Sequence, residues 1–141
     1  MTKDTYKDIV VGMMRAGLEA TEAIASVLKP QELSLQQFNV LRILRGQKGK
    51  MATLQDVQSQ MIHKMSNTTR IIDRLIEKGL VSRNTCSENR RKIDLCITPK
   101  GLELLATLDP VIAQAEGDFV AQFEPENIQA LTLLFHQNRI V

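Results

Sequence analysis

Residues 66–92 read SNTTRIIDRLIEKGLVSRNTCSENRRK, and this stretch decides the fold. It opens on a short polar run, Ser66-Asn67-Thr68-Thr69, of the kind that begins a helix. Met65, Thr68, Ile72, Leu75 and Ile76 then recur at helical spacing. At about 100° per residue they gather on one side. Asn67, Arg70 and Arg74 fall together on the opposite side. Gly79 is expected to stop the helix, since glycine tolerates the left-handed cap conformation. Leu80–Arg83 and Lys92–Ile97 read as two strands joined by a polar loop, residues 84–91, that ends in paired arginines. A helix face and a hairpin tip therefore both carry arginine. That is the layout of a winged helix, mainly α with a small β-hairpin wing. Such a helix suits a DNA major groove, and the hairpin would reach a neighbouring groove.

The charge pattern agrees. Between Gln60 and Lys92 eight Lys/Arg face three acids, a net of +5. The rest of the chain holds ten bases and thirteen acids, a net of −3. A basic island on an acidic chain points to a local polyanion site rather than to a diffusely solvated surface. With 141 residues and 43% hydrophobic content the chain suits one domain with a core. Four Phe, one Tyr and no Trp make that core aliphatic. There is no run of about 18 apolar residues, and Met1-Thr2-Lys3-Asp4 leads straight into an amphipathic pattern. A cytoplasmic protein without membrane attachment is expected. If the hairpin pairs Arg83 near Asp94, Cys86 lies at its tip and Cys96 near its base, too far apart for a disulfide.

Working outward, Thr53-Leu54-Gln55-Asp56 can cap a short helix through Gln60, followed by a turn from Met61 to Met65. Short helix, turn, second helix is the helix-turn-helix order. Ser34-Leu35-Gln36-Gln37 is a capping box for an earlier helix with Phe38, Leu41, Ile43 and Leu44 as its core face. Residues 3–28 form a first helix, with Tyr6, Val10, Met13, Gly17, Ala20, Ile24 and Val27 on a heptad seam. Thr98 and Pro99 start a helix running to about residue 123, which Pro110 should kink or split. Glu124-Pro125-Glu126 starts the last one, with Ile128, Leu131, Leu134 and Phe135 as its stripe. The terminal helices, 3–28 and 99–141, flank a 34–97 module. Their stripes either cover the protomer's own core or join two copies, and a symmetric homodimer is the expectation.

The phrases from residue 64 to 70 (KMSNTTR), 72 to 81 (IDRLIEKGLV), 89 to 91 (NRR) and 95 to 101 (LCITPKG) together resemble the MarR (multiple antibiotic resistance regulator) family of bacterial transcription factors. The resemblance implies a mostly helical winged-helix dimer that binds pseudo-palindromic operators, commonly as a repressor. Many such proteins release DNA on binding small organic compounds or on oxidation. It also implies an effector pocket where the terminal helices meet the winged module, near Met13, Met14 and Phe38. The family's wing reads Asp-Arg-Arg, whereas this chain has Asn89-Arg90-Arg91. Asn89 keeps a hydrogen-bond acceptor but gives less charge assistance, so Arg91 is expected to be held less rigidly before DNA arrives.

The candidate DNA-binding residues are therefore Lys64, Ser66, Asn67, Thr68, Thr69, Arg70 and Arg74 on the recognition helix. On the wing they are Arg83, Arg90, Arg91 and Lys92. Ser66 serves equally well as a plain N-cap. Arg70 and Arg74 suit guanine or phosphate, and Arg91 resembles the family's minor-groove arginine. Arg83, Arg90 and Lys92 suit phosphates, or partner Glu88 and Asp94. Cys86, beside Arg90 and Arg91, is the candidate redox switch. His63 and His136 stand far apart with no ligand cluster around either, so no metal is expected. No cofactor is expected, because no phosphate loop or nucleophile–base pair occurs. Two readings compete with a DNA-binding regulator: a winged-helix protein-interaction adaptor without DNA binding, and an enzyme.

Overall fold

Thr2 caps the first helix by accepting the N–H of Thr5, and α1 runs Lys3–Leu28 as its heptad seam predicts. The structure, a computed structural model, describes residues 1–64, 67–85 and 93–141. A single 3₁₀ turn, Lys29–Gln31, follows α1 and carries Pro30. Then α2, Leu35–Gly46, opens on the full capping box: Gln37 N–H donates to Ser34 Oγ and Ser34 N–H donates to Gln37 Oε1, each at 3.1 Å. Phe38, Leu41 and Leu44 are buried as expected, Val40 joins them, and Ile43 is half-buried.

The sheet has one strand more than the hairpin. Ala52–Thr53 forms β1, which pairs antiparallel with β3, Ile93–Ile97. Then β2, Val81–Thr85, pairs on the other side of β3, giving the order β1-β3-β2. The expected register is off by one. Arg83 faces Leu95, and it is Asn84 that faces Asp94. Alternation along a strand therefore puts Arg83 on the same face as Val81, turned toward the helices.

Between the strands come α3, Leu54–Gln60, with the Thr53/Asp56 capping box, and α4, Thr68–Glu77. Gly79, at φ 74°, ends α4. Its N–H donates to Ile76 O at 2.9 Å and Leu80 N–H donates to Leu75 O at 2.9 Å, the two bonds of a Schellman motif.

Thr98 accepts the N–H of Gly101 and starts α5, which runs unbroken through Pro99–Val120. Of the two outcomes expected at Pro110, a kink or a split, the split does not occur. Proline removes the bond to the carbonyl four residues back, here Ala106. Both residues are exposed, so water can take that carbonyl. The last helix, α6, is Pro125–Gln137.

The core joins α1, α2, α3, α4, α5 and the sheet through Leu28, Leu41, Val57, Ile72, Leu75, Leu95 and Leu105, all almost wholly buried. Each contributes roughly 1.5–3 kcal/mol of apolar burial. Arg45 on α2 donates to both carboxylate oxygens of Asp109 on α5, at 3.0 and 2.8 Å, tying the winged module to the long C-terminal helix. By contrast α6 buries no residue, and Tyr6, Val10, Met14 and Leu18 on α1 are all exposed. Among the described residues no helix is long and apolar enough to cross a membrane.

Candidate nucleic-acid interface

The α3–turn–α4 unit is held from behind. Met61, at the end of α3, is buried, and the next backbone N–H, of Ile62, donates to Asn39 Oδ1 on α2 at 2.9 Å. This anchors the turn, so His63 and Lys64 stand exposed just beyond it. Nothing in the spacing of α2 signalled that Asn39 does this, because the contact crosses 23 positions of chain.

Asn67 is the N-cap of α4, its Oδ1 accepting the N–H of Arg70 at 3.2 Å. The cap is thus Asn67 rather than Ser66, for which capping is one of two expected roles, and Ser66 itself lies outside the described residues. Thr68 is only 4% exposed and sits on the core side with Ile72 and Leu75. Its side chain is therefore turned to the core and not to the exposed face that carries Arg70 and Arg74. Thr69, Arg70 and Arg74 are exposed. Arg70 has no acidic partner among the described residues, while Arg74 lies 3.7 Å from Glu77, an exposed pair of little energetic weight. Ten residues make α4 about 15 Å long, and a helix of about 10–12 Å diameter fits a major groove about 12 Å wide.

The wing is described only at its base. Among the described residues Arg83 pairs not with Asp94, as expected, but with a carboxylate on α4, and Glu88 lies outside the described residues. The Arg83 guanidinium donates to Asp73 Oδ1 on α4 at 2.5 Å. The one-residue change of register explains this, since Arg83 emerges on the helix-facing side of the sheet. Cys86, Asn89, Arg90, Arg91 and Lys92 lie outside the described residues.

Beside α4 an open cleft of about 370 Å³ separates Asn67, Arg70 and Arg74 from Ser34, Gln36 and Gln37 at the start of α2. In the sequence that wall carries only the capping box of α2.

Residues 33–93 match the model of the MarR family. A crystallised MarR transcription factor from Planctomyces limnophilus is 30% identical, covering 97% of this chain and 96% of its own, with a TM-score of 0.72. The chain belongs to the MarR family. Two further solved structures share the fold at lower identity. One is BpsR of Bordetella bronchiseptica, whose DNA binding is regulated by 6-hydroxynicotinic acid. It is 22% identical, covering 94% of this chain and 98% of its own, with a TM-score of 0.83. The other is a MarR-like transcription regulator from Bacillus cereus. It is 18% identical, covering 96% of each chain, with a TM-score of 0.86. As a MarR family member the protein is a DNA-binding transcriptional regulator.

Among the described residues Met13, Met14 and Phe38, the residues implied for an effector pocket, do not line one cavity. Met13 lines an apolar groove of about 480 Å³ with Ala16, Ala20, Phe119, Phe123 and Phe135, between α1 and the pair α5 and α6. Met14 is 70% exposed and is not among its walls. Phe38 is buried in the core, with the Arg42 guanidinium 5.5 Å from its ring centroid. The physical reason is simple: neighbours on a helix point about 100° apart, and Phe38 shares its face with Leu41.

Proposed function

We propose that this MarR protein is a repressor that binds a pseudo-palindromic operator as a homodimer and is released by a small organic effector. In this reading the chain is one domain, 1–141. Residues 34–97 read DNA, and the helices within 3–28 and 99–141 join two copies. The observation that carries it is the pair of exposed arginines, Arg70 and Arg74, one helical turn apart on an α4 whose opposite face is anchored in the core. Lys64, Asn67 and Thr69 are exposed near them, and in this reading Arg90, Arg91 and Lys92 contact DNA as wing residues.

The dimer rests on the row Tyr6, Val10, Met14 and Leu18. These large apolar side chains recur every fourth residue of α1 and are exposed in the single chain. A second copy that covers them sets two α4 helices side by side, and a two-fold dimer meets half-sites about 34–36 Å apart. The effector rests on family precedent, as in BpsR and 6-hydroxynicotinic acid. The protein acts in the cytoplasm and carries out no catalysis. The test is a gel shift with the DNA upstream of its own gene across a salt series. Retardation that weakens steeply with salt supports the reading. Absence of any shift overturns it in favour of the adaptor.

A further inference from the structure

The cleft bordered by Arg70 and Arg74 has its second wall on α2, and the polar side chains there differ in what they are free to do. Ser34 and Gln37 hold one another in the capping box. Asn39 holds the turn through Ile62. Gln36 is half-buried, and its amide makes no hydrogen bond among the described residues. It borders the arginine cleft and also the hollow formed by Met61, Ile62 and His63. Gln36 thus stands on the ridge between the recognition helix and the exposed turn that leads into it.

We propose that Gln36 is a DNA-binding residue whose side-chain N–H donates to a backbone phosphate at the rim of the groove that α4 enters. The inference rests on the reading of α4 as the DNA-facing helix. Geometry selects phosphate over base. A major groove about 12 Å wide is filled by one helix about 10–12 Å across, so a residue on the next helix meets the rim and not the floor. Arg70 and Arg74 on the facing wall draw the polyanion into that cleft. A neutral amide half-held by its surroundings adds a directed hydrogen bond at small entropic cost.

The test uses the full chain and two fluorescent duplexes, one carrying the region upstream of its gene and one of mixed sequence. Gln36→Ala is expected to weaken both alike, by about two- to tenfold, as one net hydrogen bond does. The slope of log Kd against log salt should not move, since no charge is lost. Gln36→Lys should recover affinity and steepen that slope by about one unit. Gln36→Ala without effect, while Arg70→Ala weakens binding, overturns this inference alone. Loss confined to the upstream duplex overturns it in favour of base reading. An unchanged slope for Gln36→Lys also overturns it. If neither Arg70→Ala nor Gln36→Ala alters binding, the DNA-facing reading of α4 falls with it. Thermal melts of each variant keep folding defects apart from contact loss.

Discussion

The guanidinium of Arg83 on β2 stands 2.5 Å from a carboxylate oxygen of Asp73 on α4. The pair is the one ion pair among the described residues that joins the wing strand to the recognition helix. It links the base of the wing to the helix proposed to enter the groove. Both side chains are 38–50% exposed, so solvent screens the pair and its share of stability is about 0–1 kcal/mol. Asp73→Arg is therefore expected to leave the melting temperature nearly unchanged while weakening operator binding by roughly 1 kcal/mol, about fivefold. The double variant Asp73→Arg/Arg83→Asp should recover much of that loss. Binding that stays low in the swap would mean the charges act on DNA directly and not on each other.

Arg70 is exposed and without an acidic partner among the described residues, so its removal leaves no described carboxylate unpaired. Arg70→Ala should cost about 1–3 kcal/mol of operator affinity with an unaltered melt, read by anisotropy titration. Arg91→Ala at the wing is expected to fall in the same range, and unchanged affinity would remove the wing from the mechanism. Lys64, exposed in the turn, is expected to meet a phosphate. Lys64→Ala should weaken all sequences alike and flatten the salt slope by about one.

Two glycines hold the base of the wing for different reasons. Gly79 occupies φ 74° in the Schellman motif, so Gly79→Ala should cost about 1–2 kcal/mol of stability. At Gly101 the backbone angle is ordinary but the space is not. An added Cβ would stand 2.5 Å from the Leu80 carbonyl oxygen and 2.7 Å from Ile97 Cγ1. Gly101→Ala should cost roughly 1–3 kcal/mol, and toward the upper end, because a backbone carbonyl cannot rotate aside. A denaturant melt that ranks Gly101→Ala as the milder change would contradict this.

Met14 and Leu18 carry the dimer expectation in its sharpest form, since neither is buried within its own chain. Leu18→Asp should leave the protomer folded yet shift sedimentation toward the 15.9 kDa single chain. Operator binding should fall with it, because two half-sites are then met one at a time. A wild-type chain that sediments as a monomer at micromolar concentration would end the proposal outright.

Local chemistry was legible in the sequence. The boxes at Ser34/Gln37 and Thr53/Asp56, the Thr98-Pro99 start and the Gly79 stop each depend on residues three or four apart, and each formed as read. The helical burial of Ile72 and Leu75, with arginines opposite, is likewise set by a period of 3.6. What spacing could not decide were contacts between distant segments. The pairing of Ala52 with Leu95, the register that turned Arg83 toward Asp73, and the Arg45–Asp109 tie all depend on which surfaces meet. Thr68, by contrast, lies where its spacing put it, on the apolar side of α4 with Ile72 and Leu75. Helix ends and faces are thus written into short stretches of this chain, because their hydrogen bonds close within one turn. The shape offered to DNA is decided by tertiary packing, which alone sets how α2, α4 and the wing lie beside one another.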